Sequence, residues 1–165
     1  MVLKSRLGWT LSGALAWIIT DQLTKVFFKG MLKSGDLVSL LGGSVLVLPS
    51  YNDGAFLSLG AKLPTSLRNL VFTYGVIALL AGLLIWVVCS DRLRRVEILG
   101  IASILGGGLS NLLDRFVHGG QVFDFLNVGL GSLRTGIFNV ADVGIMVGLG
   151  LLILSNFRSP KRISP

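Results

Sequence analysis

The stretch GGGLSNLLDRFVHGGQVFDFLNVGLGSLRTGIFNVAD, residues 106–142, decides how the chain is read. It holds Asp114, Asp124 and Asp142, three of the chain's eight acidic residues, with Asn111, Arg115, Asn139 and the only histidine, His118. Apolar sequence lies on both sides of it. A carboxylate near a bilayer is costly, so three in one stretch point to a task rather than to a solvated surface. The stretch reads as an active site at one face of a small membrane protein.

Composition supports the membrane. Of 165 residues, 52% are hydrophobic and 14% charged, with a mean hydropathy of +0.79; soluble domains carry about 25% charged residues. The length fits one domain. The net charge of +7 is compatible with nucleic acid, but the basic residues sit in short clusters beside apolar runs. That pattern orients membrane segments, and no nucleic-acid partner is expected. Cys89 is the only cysteine, so neither an intramolecular disulfide nor a CxxC metal site can form. It reads as a small apolar packing residue.

Four apolar spans are expected at about 7–28, 67–88, 96–116 and 137–157. The first follows Lys4 and Arg6 in the manner of a signal peptide. It exceeds the usual core of about 7–15 residues and no small-x-small site closes it, so it reads as a retained helix. Asp21 and Lys25 within it are four apart and share a helix face. They either face the bundle interior or end the span at the headgroups. Residues 29–66 alternate turn residues with β-prone runs at 37–41, 44–48 and 55–59, which predicts a small sheet on the membrane surface. Within that segment Asn52-Asp53-Gly54 is by itself a strong turn former. A basic loop at 90–97, a second outer loop at 117–136 with extended runs at 122–125 and 126–128, and a basic tail at 158–165 complete the chain. Gly106-Gly107-Gly108 permit close helix approach. The expected fold is a single-domain all-α membrane protein, with four transmembrane helices and a small β-rich subdomain on the outer face.

Orientation follows from the flanks. The N-terminus, the 90–97 loop and the tail hold eight basic residues, Lys4, Arg6, Arg92, Arg94, Arg95, Arg158, Lys161 and Arg162, against seven on the other side. The positive-inside rule places both termini in the cytoplasm. Asp21, Asp53, Asp114, Asp124 and Asp142 then all fall at the outer face.

A single histidine, no cysteine pair and no HExxH motif argue against a zinc protease, and no metal ligand set or cofactor is expected. A Ser-His-Asp triad would have to use His118, without a GxSxG turn. Two readings of the aspartates remain. A pair sharing one proton can serve as base on a water and as acid, its pKa values split by proximity and burial. Equally, paired carboxylates can form a polar network that only holds helix ends together.

The motifs resemble those of the lipoprotein signal peptidases, or signal peptidase II, over almost the whole chain. Asp21-Gln22-Leu23-Thr24-Lys25 corresponds to the family's DxxTK, and Asn52-Asp53-Gly54-Ala55-Phe56 to its NxGAxF. Asn111–Arg115 corresponds to NxxDR, Val122–Phe125 to VxDF, and Phe138–Asp142 to FNxAD. Ser110 stands where the family commonly has glycine, Ser50-Tyr51 where a basic or polar lead-in is expected, and Leu57 follows Ala55-Phe56 where Ala-Ala-Phe or Ala-Phe-Gly is commoner. The resemblance implies a membrane aspartic endopeptidase that cuts lipid-modified prolipoproteins before the diacylglyceryl-cysteine. It implies Asp124 and Asp142 as the catalytic pair, with Asp21, Lys25, Asn52, Gly54, Asn111, Asp114, Arg115 and Asn139 as binding and supporting residues. Prolipoproteins and membrane lipids are the partners expected of a monomer in the bacterial inner membrane. A non-enzymatic membrane binding protein and a small ion or proton transporter are the rival classes; a transporter often carries an internal repeat, and none is visible here.

Overall fold

The structure is a computed structural model that describes residues 1–53 and 64–157. Gly54, the β-prone run at 55–59 and the tail at 158–165 lie outside the described residues. The first helix, α1, runs Leu3–Met31, longer at both ends than the apolar run that predicts it. Two strands follow, β1 (Val38–Leu40) and β2 (Val45–Asn52). Helix α2 (Thr65–Asn69), a π-helical turn at Leu70–Gly75 and α3 (Val76–Cys89) run on from one another. Helix α4 spans Arg95–Val117, so the basic loop before it is shorter than expected. Strands β3 (Val122–Leu130) and β4 (Leu133–Arg134) precede α5 (Val140–Phe157). The two extended runs expected at 122–128 are thus one strand.

Three helices among the described residues are long and apolar enough to cross a membrane: Ser66–Cys89, Arg95–Val117 and Val140–Phe157. Helix α1 has 29 residues, about 43 Å at helical rise against a hydrocarbon core of about 30 Å, but Asp21 and Lys25 interrupt its apolar run. The fold is therefore that of a multi-pass membrane protein, mostly helical, carrying a small antiparallel sheet.

Helix α4 is the central post. Its consecutive glycines point about 100° apart, and each meets a different neighbour. A Cβ on Gly106 would lie 2.6 Å from the Ala14 carbonyl oxygen of α1, and one on Gly108 would lie 2.8 Å from Leu80 of α3. One on Gly107 would strike the Ala141 carbonyl oxygen of α5 and sit 2.9 Å from Ile145. Small residues thus let three helices approach one backbone, as membrane interfaces require. Gly107→Ala is expected to cost at least about 1–3 kcal/mol by overpacking, because the obstacle is backbone. It also pushes on the residue before Asp142, so activity should fall further than thermal stability alone predicts. Wild-type activity and Tm in Gly107→Ala would contradict this packing.

The end of the bundle away from Asp114, Asp124 and Asp142 is fastened by charges that sequence alone reads as orientation signals. Arg6 is 2% exposed and bonds the Ser90 carbonyl oxygen and, at 3.0 Å, Asp91. Arg94 and Glu97 form a capping box at the start of α4, and Ser155 of α5 donates to Glu97 at 2.7 Å. Cys89 is exposed at the end of α3, so it is not the packing residue expected.

The four strands pair antiparallel in the order β1-β2-β3-β4. Between Val47 and Ser50 the register of β2 against β3 shifts by one residue, at Pro49, which has no N–H to give the ladder. Beyond the shift Ser50 faces Asp124 and Asn52 faces Val122. Asn52 is therefore the last residue of a strand, where pairing with β3 holds it extended. Phe28, Phe123 and Phe125 pack the other face of the sheet onto α1.

Candidate active site

Backbone devices place the candidate side chains. Strand β3 carries Asp124 and is bridged to Phe138, with Phe138 N–H donating to the Leu126 carbonyl oxygen at 2.8 Å. That bridge brings Asn139, the next residue, beside Asp124. Asn139 is also the N-cap of α5. The Asp142 N–H donates to Asn139 Oδ1 at 3.0 Å, and the Asn139 N–H donates to Asp142 Oδ2 at 3.2 Å. This reciprocal pair is a capping box with aspartate in the third helical position. The positive end of the helix favours a carboxylate there.

The two aspartates meet through amides. Asn139 Nδ2 donates to Asp124 Oδ1 at 2.7 Å, and Asn52 Nδ2 donates to Asp124 Oδ2 at 3.0 Å. Asn111 Nδ2 donates to Asp142 Oδ1 at 3.0 Å, while Asn111 Oδ1 accepts from Asn139 Nδ2 at 3.0 Å. Asn139 thus touches both carboxyl groups. Asp124 is 2% exposed and Asp142 7%. Burial, and then the charge of Asp142, push the Asp124 carboxyl up to about 7. Such a group is half protonated at neutral pH, the condition a proton donor needs. Arg115 is buried in electrostatic reach of Asp142, Asp124 and Asp114.

The remaining acidic residues are arranged differently. Lys25 Nζ lies 2.6 Å from Asp21 Oδ2 and 3.1 Å from Asp114 Oδ2, and it donates to Asn111 Oδ1 at 3.2 Å. Lys25, Asp21 and Asp114 are each no more than 2% exposed, so the pair in α1 faces the bundle interior, not the headgroups. Asp21 Oδ1 accepts the Ala141 N–H at 2.8 Å, and Asp114 Oδ2 accepts the Phe123 N–H at 2.9 Å. These two carboxylates therefore hold the backbone beside Asp142 and beside Asp124. The division is chemical: one ammonium is ion-paired with both Asp21 and Asp114, whereas asparagines embrace Asp124 and Asp142.

Two further residues, unmarked by the motifs, join this network. Ser110 is fully buried and donates to Asp21 Oδ2 at 2.7 Å. Gln22 donates to Ser110 Oγ at 3.0 Å and to Asp114 Oδ1 at 3.1 Å. The available signals were Ser110 in place of glycine and a glutamine beside Asp21. Gly54 lies outside the described residues. No group of three or more His, Cys, Asp or Glu among the described residues has the arrangement of a metal site. Asp142 also lines an apolar groove of about 240 Å³ with Thr135, Phe138, Val143, Met146 and Val147. Of the pair, Asp142 borders this groove, on the side of α5 where Met146 is exposed.

Comparison with known proteins gives the family. Residues 13–158 match the family model for signal peptidase (SPase) II. Over 146 residues the chain is 36% identical to the lipoprotein signal peptidase of Ralstonia nicotianae, covering 88% of this chain and 82% of that protein. It is 38% identical over 138 residues to that of Helicobacter pylori, covering 84% and 80%. A bacterial membrane enzyme solved by the in meso method at 2.3 Å superposes with a TM-score of 0.81 at 24% identity, over 96% of this chain and 94% of that one. By the extent of these matches the chain belongs to the signal peptidase II family, the peptidases that remove signal peptides from prolipoproteins.

Proposed function

We propose that this peptidase is of the aspartic type and cuts lipid-modified prolipoproteins before the diacylglyceryl-cysteine, with Asp124 and Asp142 as its catalytic residues. The observation that carries the reading is the division of the carboxylates: Lys25 forms ion pairs with Asp21 and Asp114, while Asn139 joins Asp124 to Asp142. Asp124, which keeps its proton near neutrality, donates to the departing peptide. Asp142 takes the proton of the attacking water. Together they transfer one proton in and one out, so the pair regenerates without another co-reactant. Asn52, Asn111 and Asn139 fix the carboxyl rotamers, and Arg115 supplies positive charge beside the developing oxyanion. Asp21, Lys25 and Asp114 support the backbone under the pair.

In this reading α1 is the fourth membrane span, both termini are cytoplasmic and the sheet lies on the outer surface of the bacterial inner membrane. The signal peptide lies as a helix in the bilayer, and the groove beside Asp142 receives the lipid-bearing end of the substrate. The protein acts as a monomer, since the network is complete within one chain. Purified protein in lipid nanodiscs, given a lipidated prolipoprotein, should release a product whose mass begins at the lipidated cysteine. The same substrate with cysteine replaced by serine should stay uncut. Cleavage elsewhere, or equal cleavage of the unlipidated form, would refute the assignment.

A further inference from the structure

His118, the only histidine, takes no part in the chemistry above, and neither does the cavity beside it. That cavity, of about 280 Å³, is lined by Lys29, Leu32, Ser34, Pro49, Tyr51 and Phe123. It lies on the sheet face away from the catalytic pair: Phe123 and Asp124 are consecutive in β3, so their side chains point to opposite faces. Tyr51 is paired with Phe123 across the strands, their rings 5.4 Å apart.

The chemistry of the wall is directional. His118 Nδ1 is 2.9 Å from the Asp114 carbonyl oxygen, which can only accept, so Nδ1 carries the proton. The bare Nε2 then accepts from Lys29 Nζ at 3.0 Å. Lys29 Nζ also lies 4.9 Å from the Phe123 ring centroid and 5.8 Å from that of Tyr51, within cation–π range. Histidine and two rings thus hold the ammonium at the cavity wall, and no carboxylate among the described residues forms an ion pair with it. Val26, 68% exposed, lies about 60° round α1 from Lys29, and Leu23, 64% exposed, about 120° round, so Lys29 borders an exposed apolar face of the helix. A cation without a carboxylate partner stands at the edge of an apolar helix face, and Ser34 and Tyr51 bring hydroxyls to the same cavity. This matches an anionic head over acyl chains.

We propose that the cavity between the end of α1 and the Tyr51–Phe123 face of the sheet seats a phosphate-bearing anion, of the kind a phospholipid headgroup carries, on the ammonium of Lys29. The seat is separate from the peptidase chemistry and does not depend on it. Delipidated full-length protein in a mild detergent should gain several degrees in Tm with short-chain phosphatidylglycerol, because a ligand that binds the folded state alone stabilises it by mass action. Short-chain diacylglycerol, which lacks the phosphate, should not raise it. Inorganic phosphate alone raising Tm as much would make the seat one for the free anion; a rise with the lipid only would make it a headgroup seat. Lys29→Gln should lose the shift and Lys29→Arg should keep most of it. On the wild-type protein, phosphatidylglycerol should also slow reductive methylation of Lys29, read by mass spectrometry, which needs no variant to fold. Equal shifts in wild type and Lys29→Gln, an equal shift with diacylglycerol, or unchanged methylation would each overturn the proposal.

Discussion

Asp124→Asn and Asp142→Asn should each lower cleavage of a lipidated prolipoprotein by about 10²–10⁴-fold, the range that a positioned acid or base contributes. Asparagine keeps the size of aspartate and, through its one oxygen, one of the two bonds each carboxyl accepts, but it can neither take nor release the proton. The double variant should be scarcely worse than either single one, because groups acting as a unit are not additive. The Asp124 variant should also fold. Its carboxyl is raised from 3.8 to about 7 in the folded protein, so the folded state binds more protons than the unfolded one between those pH values. The contribution of Asp124 to stability is then fully present below about pH 4 and is lost as pH rises through about 7. A neutral asparagine removes that loss but sets a donor against the amide of Asn52 or Asn139, so the variant should lose less stability relative to wild type at pH 8 than at pH 5. Asp114→Asn provides the contrast: it leaves Lys25 bonded to Asp21 and should keep more activity per folded molecule than either variant of the pair. Near-normal cleavage by Asp124→Asn with folded Asp114→Asn inactive would move the chemistry to Asp114.

Lys25→Met should be the most damaging single change to folding. The ammonium is buried between Asp21 and Asp114 at 2.6 and 3.1 Å, and removing one partner of a buried ion network leaves charge uncompensated, at a cost of about 3–5 kcal/mol. The loss reaches the site as well, because Asp21 and Asp114 hold the Ala141 and Phe123 backbones. The expected result is a large drop in folded yield by size exclusion, with a lower Tm for what remains. Adding Asp21→Asn and Asp114→Asn should recover part of the yield, since neutral amides do not need the ammonium. A folded Lys25→Met protein with wild-type Tm would show that the network adds nothing to stability.

Much of the site is legible in the sequence because charge stands out against apolar surroundings. Asp21 and Lys25 at helical spacing pair as that spacing requires. The glycine tract announces close helix approach. The capping box is written in Asn139-Val140-Ala141-Asp142, an amide three residues before an acid at a helix start. What was not legible depends on contacts between distant segments. Nothing local says that Lys25 also reaches Asp114, 89 positions on, or that Asp21 accepts the N–H of Ala141. Asn52-Asp53-Gly54 has turn chemistry, yet Asn52 ends a strand because β3 offers it a partner and the shift at Pro49 turns its amide to Asp124. Arg6 and Arg94 look like flank charges, and only the packed bundle shows them tying helix ends together. Ser110 differs from glycine by one hydroxymethyl group, and its importance lies in the oxygen of Asp21 that it meets.

The pH dependence of kcat/KM for cleavage by the purified wild-type protein bears most directly on proton sharing between Asp124 and Asp142. Asp124 at about 7 requires the rate to fall by about tenfold per pH unit above neutrality, as the pair loses its remaining proton. It should also fall in acid, once both carboxyls are protonated, which gives a bell with its alkaline limb near pH 7. A rate that stays level or rises from pH 7 to pH 9, with the protein folded throughout, would contradict a proton-sharing pair.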